Sequence, residues 1–492
     1  MRYFIGLDNG GTVIKACLYD ETGRQICVER AKVDLVIPKE GYTERVLSDV
    51  LNANLAVLKG VVEKSGVCKE NIKSIGISGH GKGLYLLDKQ GNDLYNGIVS
   101  TDTRAVNIRK TFDKGGISQK IYEQNYQKVL ESQPVCLLRW FKDNKREVYD
   151  KIGFVLSVKD YIRYKLTENI AFERTDISGS NLINLSTGKK DFEQLKLFGI
   201  EEMYDCIPNI VNACDNCGCI TADIARKTGL SEQTVVSGGM FDINACALST
   251  GLITPEDICV IAGTWSINEY ISVVPVTAAK SMNSYYCLPG YYLVEECSPT
   301  SAGNLEWYLQ NVCVGKSYNE INEMVASVKP EDCNVVFLPF LFASNEENLD
   351  MKATFVGLSA MTTQAEMLRS VYEGIVFAHK SHIDKLLSAR EKPRAIRLTG
   401  GAANSDVWSQ MFADAIGIKV EVIADREHGC FGAGISGAVA CGIYPDVTVA
   451  LKETVKADKI FYPNSDAGKI YNDKYKKYRR LVTALDSYYI EK

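Results

Sequence analysis

Four stretches of the chain combine glycines, hydroxyls and carboxylates in orders that suit phosphate and proton chemistry. The first is Asp8-Asn9-Gly10-Gly11-Thr12, with Lys15 three residues on. Glycine lets a backbone approach a phosphate closely, and consecutive N–H groups with a threonine hydroxyl can hold its oxygens. Asp8, at the end of an apolar run, could orient a Mg²⁺-bound water, since Mg²⁺ keeps several waters and takes few carboxylates. The same residues also make a tight Asn-Gly hairpin that needs no ligand. Ala262-Gly263-Thr264 repeats the pattern in the second half of the chain. Two such turns could grip a triphosphate from both sides. Gly400-Gly401-Ala402-Ala403-Asn404 follows a strand-like run and precedes a helical one. It reads either as a plain connection or as a helix start whose small side chains leave room for a nucleotide. The fourth stretch is Gly238-Gly239-Met240-Phe241-Asp242-Ile243-Asn244-Ala245. There Asp242 opens a helix, as a cap, as a general base, or as both. A carboxylate at a helix N-terminus is expected to stay ionised and to work by orientation.

These turns need strands to present them. Tyr3–Asp8, Val13–Tyr19 and a third run near Gln25–Val33 read as strands, with Asp20-Glu21-Thr22-Gly23 as turn chemistry between the last two. Leu47, Leu51, Leu55, Leu58 and Val62 recur at helical spacing. Ile72–Ser78 reads as a strand, and Leu84–Leu87 as one that runs into the turn Asp88-Lys89-Gln90-Gly91-Asn92. In the second half, strands are expected at Ile258–Ala262, Trp265–Val273 and Ala395–Thr399, and helices at Gln364–Leu387 and Val407–Ile416. The order predicts an α/β chain with a mixed sheet and packed helices in each half. Two strand–glycine–threonine openings, one per half, suggest a diverged duplication. Gly251 and Pro255 interrupt the pattern, so the expected domains are 1–248 and 249–492, packed around a cleft. The tail Lys469–Tyr488 reads as a solvated helix with its tyrosines turned inward.

Composition bounds the alternatives. A chain of 492 residues exceeds what one core usually supports, giving two domains of roughly 200–250 residues. The net charge of −5 argues against a broad nucleic-acid-binding surface. No apolar run is long enough to span a membrane, and the start has no signal-peptide pattern, so a cytoplasmic protein with reduced thiols is expected. Of the 16 cysteines, Cys214, Cys217 and Cys219, with Cys206 nearby, are the one cluster with metal spacing. They lack a second well-spaced ligand pair, and a Gly-containing loop is the preferred reading.

Taken together, the turns and their order resemble the actin-like ATPase (ribonuclease H-like) architecture, and more narrowly the FGGY family of carbohydrate kinases. The most specific carrier is Ala353-Thr354-Phe355-Val356-Gly357-Leu358, seven residues, Glu366-Met367, then Ser370-Val371-Tyr372-Glu373. It fits the family's C-terminal signature throughout. The resemblance implies ATP and Mg²⁺ as cofactors. It places Asp8, Gly10, Gly11, Thr12, Lys15, Gly263, Thr264, Gly303, Gly400, Gly401 and Asn404 around the nucleotide, with Asp8 on Mg²⁺ through water. Asp242 becomes the catalytic base for a sugar hydroxyl, and His80, Asp102 and Arg104 become candidate substrate contacts. For Arg104, a simple ion pair with Asp102 is an equal alternative.

The chain departs from the family in three places. Leu137 stands where Lys is usual. Ser100 replaces Trp in Ser100-Thr101-Asp102-Thr103-Arg104. Phe342-Ala343-Ser344-Asn345 replaces Glu-Arg-x-Pro. Losing an aromatic wall beside the substrate should change which sugar fits. Gly81-Lys82-Gly83, Leu86-Leu87-Asp88, Arg104-Ala105 and Ser298-Pro299-Thr300-Ser301 with Gly303-Asn304-Leu305-Glu306-Trp307 are similar to the subgroup that acts on L-xylulose. Kinases of erythritol, ribulose or ribitol are the alternative, and a non-transferase ATP-binding module of the actin or chaperone kind is a further one. The resemblance also implies a small sugar as partner, no nucleic acid or membrane, and a homodimer as the assembly to expect.

Overall fold

The computed structural model describes residues 1–344, 350–424 and 426–490. Asn345 therefore lies outside the described residues. The first half contributes β1 (Tyr3–Asn9), β2 (Val13–Asp20), β3 (Gln25–Lys32), α1 (Leu47–Ser65), β4 (Ile72–Gly79), α2 (Val158–Thr167), α3 (Arg174–Ser178), β5 (Asn216–Cys219), β6 (Val235–Ser237), β7 (Met240–Phe241) and α4 (Asp242–Ser249). The sheet runs β5-β6-β4-β1-β2-β3, with β7 also paired to β4. In α1 the buried face is Leu47, Val50, Asn54, Val57, Leu58 and Val61, and Gly66 ends the helix at φ 62°. A left-handed C-terminal position of this kind suits glycine.

The second half contributes β8 (Asp257–Ala262), β9 (Ser266–Ser272), β10 (Met282–Tyr285), β11 (Tyr292–Ser298), α5 (Ala302–Asn311), α6 (Gln364–Leu387), β12 (Ala395–Thr399), α7 (Asp406–Ile416), β13 (Val420–Ile423), α8 (His428–Ala440), β14 (Ala457–Phe461) and α9 (Ser465–Ile490). This sheet runs β10-β11-β9-β8-β12-β13-β14. Without β10, its path β11-β9-β8-β12-β13-β14 repeats β3-β2-β1-β4-β6-β5 of the first half. Each path has two antiparallel pairings, two parallel ones and a last antiparallel one. The duplication expected from the paired glycine turns is present as repeated topology.

Two devices join the halves. Helix α8 belongs to the second half by sequence but lies on the first sheet, backbone against backbone. A Cβ on Gly6 would stand 1.7 Å from the Cys430 carbonyl oxygen, one on Gly76 1.7 Å from that of Ala433, and one on Gly432 2.0 Å from that of Ala245. Edge strand β10 reaches the other way: the Asn283 N–H donates to the Tyr126 carbonyl (3.0 Å), and the Tyr285 N–H to Ser178 Oγ (2.8 Å).

Most expected elements form within a residue or two of their sequence bounds. The strand Tyr85–Asp88 differs in its partner. The turn after it closes, with the Asp88 N–H donating to the Asn92 carbonyl, but the strand pairs with Ile152–Leu156, a long-range ladder with no local signal. Tyr471 and Tyr478 of α9 are buried, as the tail's pattern implied. Among the described residues no group of three or more His, Cys, Asp or Glu is placed to hold a metal ion, and Cys217 and Cys219 lie in strand β5 where a loop was expected. No helix among them is long and apolar enough to cross a membrane.

Candidate active site

Strands β1 and β7 both run parallel to β4, so their carboxyl ends lie at one sheet edge, where ligands of open α/β sheets bind. Asp8 stands level with Ser78, and both Asn9 and Phe241 with Gly79. Asp8, His80 and Asp242 are thereby brought to one place. The Ser78 hydroxyl donates to Asp8 Oδ1 (2.7 Å). Burial raises the Asp8 carboxyl above its usual range, opposed by the Ser78 bond and by Lys15. Lys15 faces Asp8 across the hairpin and donates to Glu427 Oε2 (2.7 Å), while Glu427 Oε1 accepts from Arg30.

The glycine turn after β1 is held from below. Arg45 is fully buried and donates to the carbonyls of Gly10 (3.1 Å) and Gly11. Those carbonyls therefore point inward, while Gly11 and Thr12 are exposed. Asn54 donates to Asn9 Oδ1 (2.8 Å), and the His80 N–H to the Asn9 carbonyl (3.0 Å).

Asp242 begins α4, as expected, and its Oδ1 accepts its neighbour's N–H, that of Ile243 (2.8 Å). The segment before it is anchored to a buried ionic network. The Phe241 N–H donates to Thr175 Oγ1 (2.9 Å), and the Thr175 hydroxyl to Glu173 (2.7 Å). Arg163 donates to the Gly238 carbonyl (2.6 Å) and pairs with Asp160 (2.8 Å). Lys159 sits among Asp160, Glu173 and Asp176 at 3.0–3.5 Å. The expectation that Asp242 is ionised is corrected. Burial, then the charges of Asp8 and Asp176, push its carboxyl up to about 8, against the Ile243 N–H and Lys82. Desolvation with two like charges outweighs the helix start.

The three substrate candidates separate. His80 is buried, within reach of the Tyr85 hydroxyl (3.2 Å), and burial with the nearby Arg45 charge brings it down to about 4, so its imidazole is neutral. Asp102 and Arg104 form a buried ion pair, with Arg104 Nη2 2.8 Å from both Asp102 and Glu44. Asp102 also accepts the Thr43 N–H (2.7 Å), and the Arg104 guanidinium lies over Tyr42 and Trp140. Of the two roles open for Arg104, the ion pair is the one formed. Both side chains are engaged with protein groups, while Arg104 Nη1 is buried without a hydrogen-bond partner.

At the second sheet's edge three glycine segments converge. The Ala302 N–H donates to the Gly263 carbonyl (2.8 Å), and a Cβ on Gly303 would lie 3.2 Å from the Thr264 carbonyl oxygen. Gly400 has φ +88°, and its Cβ would come within 2.7 Å of the Ala262 carbonyl. Gly401 faces Ala302, and Asn404 is exposed at the end of the short turn. His379 of α6 binds Ser266 (3.0 Å), Ser301 (2.9 Å) and Asn268 (2.9 Å), fixing the residues that flank this cradle. The two edges meet at His428-Gly429. His428 joins Ser249 (2.6 Å) at the end of α4 to Thr399 at the end of β12, and a Cβ on Gly429 would stand 2.7 Å from Asp8 Oδ2. Arg45, Ser78, His379, Glu427 and His428 hold the candidate site together and were not singled out from the sequence.

A nucleotide with Mg²⁺ fits this donor set. Gly11 and Gly263 each have open space where a side chain would project, and Asp8 offers carboxylate oxygens between the turns.

The comparisons agree. The chain matches the N-terminal domain model of the FGGY family of carbohydrate kinases over residues 3–249 and the C-terminal one over 258–441. It is 37% identical over 491 residues to the L-xylulose/3-keto-L-gulonate kinase of Escherichia coli (strain K12), covering 99% of this chain and 98% of that protein. It is 36% identical to a probable L-xylulose kinase of Haemophilus influenzae, covering 99% of each. In fold it superposes on a ligand-bound xylulose kinase from Lactobacillus acidophilus with a TM-score of 0.92 at 23% identity, covering all of both chains. Plasmodium falciparum glycerol kinase with ADP gives 0.88 at 19% identity, covering 98% of each. The chain therefore belongs to the FGGY family of carbohydrate kinases and is a sugar kinase.

Proposed function

We propose that the protein transfers the γ-phosphoryl group of ATP to a hydroxyl of a small ketose, L-xylulose foremost, giving L-xylulose 5-phosphate. The observation that carries this reading is that Asp8, beside the first glycine–threonine turn, and Asp242 share the carboxyl end of β4, while His428-Gly429 ties that edge to β12 of the second sheet. The relatives named for L-xylulose support the choice of sugar. In this reading residues 1–248 hold the sugar and the first phosphate turn, and residues 249–492 hold the nucleotide.

Phosphoryl transfer needs positioning and charge neutralisation more than covalent help. Gly10–Thr12 and Gly263–Thr264 offer N–H and hydroxyl donors to the phosphates, with Gly303, Gly400, Gly401 and Asn404 around the rest of the nucleotide. Asp8, backed by Ser78, is the residue for Mg²⁺, which when bound neutralises phosphate charge. Asp242, in the ionised form that grows as pH nears 8, takes the proton of the attacking hydroxyl, in line with the terminal phosphate. His80, neutral and fixed by Tyr85, reads a sugar oxygen. Closure of the two halves on the sugar keeps water from competing as acceptor. The proposed setting is the cytoplasm, with a homodimer as the proposed assembly.

The test is coupled ADP release over ketopentoses, aldopentoses and polyols, with Asp242→Asn alongside. Turnover of L-xylulose, lost by several orders of magnitude in a variant that still binds ATP, is expected. Silence across the panel with ATP bound would favour a nucleotide-driven binding module.

A further inference from the structure

A cavity of about 480 Å³ opens where the β2–β3 hairpin meets the segment leading into α8, within the size range of small-ligand sites. Its walls carry three arginines, Arg24, Arg30 and Arg426, against one carboxylate, Glu427. Arg24 gives its Nε to Asp20 Oδ2 (3.1 Å) and binds no other carboxylate among the described residues. Arg30 shares Glu427 with Lys15, each taking one carboxylate oxygen. Arg426 has no ion pair among the described residues, and its Nη1 is buried without a hydrogen-bond partner.

The Arg426 guanidinium rests on the Phe431 ring, 4.3 Å from the centroid, and Tyr19 meets the same ring edge to face. A ring face offsets part of a desolvated charge, but it leaves the N–H groups in the guanidinium plane unmet. A buried donor without an acceptor is costly, more so when it is charged. What completes this arrangement is an anion with several acceptor oxygens. A phosphate group supplies three, and guanidinium forks match it two N–H bonds at a time. One such group can bridge Arg30 and Arg426.

The cavity backs onto the candidate active site. Glu427 ties Arg30 to Lys15, which faces Asp8 across the hairpin. The next two residues, His428 and Gly429, join α4 to β12 and stand against Asp8. An anion that takes Arg30 leaves Glu427 to Lys15 alone. The lysine is then held more firmly away from phosphates at the Gly10–Thr12 turn.

We propose that this cavity is an inhibitory site for a small phosphate ester, held by Arg24, Arg30 and Arg426 and coupled to the ATP site through Glu427. The ester weakens ATP binding, and ATP weakens the ester by the same factor. Binding of the ester is independent of the kinase reading above, and only the coupling rests on it.

The probes are inorganic pyrophosphate and the mono- and bisphosphates of three- to six-carbon sugars, tested on the wild-type protein, Arg426→Met and Arg24→Gln. Calorimetric titration without nucleotide reads Kd, and coupled ADP release reads the KM for ATP. At least one ester should bind the wild type, about tenfold or more weaker in Arg426→Met. Arg24→Gln, at an exposed position, should weaken it about threefold and keeps the test readable whatever Arg426→Met does to folding. Without ester, both variants should stay within about twofold of wild-type kcat and KM. A saturating ester should raise the wild-type KM for ATP about fivefold and leave that of Arg426→Met unchanged. Failure of every probe to bind would overturn the proposal. So would binding that neither variant weakens, which would put the ester in the active site, or an ester that binds without moving the KM for ATP. Ester binding that depends on Arg426, in a protein that turns over no sugar, would uphold the site and remove the kinase reading instead.

Discussion

Arg45 links a buried charge to the phosphate turn, and replacing it separates function from stability. The guanidinium is fully buried, has no ion-pair partner among the described residues, and donates to the carbonyls of Gly10 and Gly11. Arg45→Met keeps a long side chain in the space and removes both bonds. A bond from a charged donor contributes about 1.5–3 kcal/mol. Gly11 is exposed, so water takes up part of the loss, which puts the pair at about 3 kcal/mol. Against this, burying an unpaired charge costs several kcal/mol even after relaxation, a cost that methionine does not carry. The two terms oppose each other in folding but not in catalysis, where only the turn's shape counts. The expectation is a Tm equal to or above that of the wild type, with kcat/KM for ATP down about 100-fold at 1.4 kcal/mol per decade. Steady-state coupled ADP release and thermal unfolding of the same samples read both. An unchanged kcat/KM for ATP would refute the assigned role. A large fall in Tm would refute the charge argument.

Asp242→Asn should raise stability at neutral pH while removing turnover. A carboxyl raised from 3.8 to about 8 in the folded protein favours the neutral form. Its contribution is fully present below the unfolded value and is lost as pH climbs towards 8, so the variant's Tm should fall less between pH 4 and 8 than the wild type's. Loss of Tm on substitution would show that the carboxylate is stabilising. Gly76→Ala puts a Cβ 1.7 Å from a backbone oxygen of α8, and should cost about 3 kcal/mol or more in urea unfolding because neither backbone can yield locally. His379→Ala leaves Ser266, Ser301 and Asn268 without their shared partner. The KM for ATP should rise about tenfold, and an unchanged value would detach this histidine from the cradle.

What could be read from the residues was local. Asp8 to Thr12, Gly263-Thr264 and Gly400-Gly401 are glycine turns at strand ends, and a strand end and a turn are both set by near neighbours in sequence. Asp242 was singled out for the same reason, at the junction of a strand, two glycines and an apolar helix. What escaped notice was non-local. Lys15 binds a glutamate 412 residues away, and Arg45 looks like any exposed arginine before the turn of residues 10 and 11 folds over it. The ionisation of Asp242 was misread because the helix start is visible in sequence, whereas its burial beside Asp8 and Asp176 is not. The Arg104–Asp102 pair was legible as one of two readings, but Glu44, Tyr42 and Trp140, which complete the Arg104 cage, come from two other segments.

The repeated topology explains the division. Each sheet carries its glycine turn in the same place because β1–β2 and β8–β9 are equivalent hairpins, so one local signal appears twice. The residues that make the two turns act together, His428 and Gly429, occur once and have no counterpart to reveal them. They lie on α8, a helix that leaves its own half to pack on the other sheet, against Gly6 and Gly76. A kinase of this architecture thus needs both a duplicated local motif and asymmetric crossings between its halves. Only the first is written in neighbouring residues, and the second is written as glycines whose purpose is another segment's backbone.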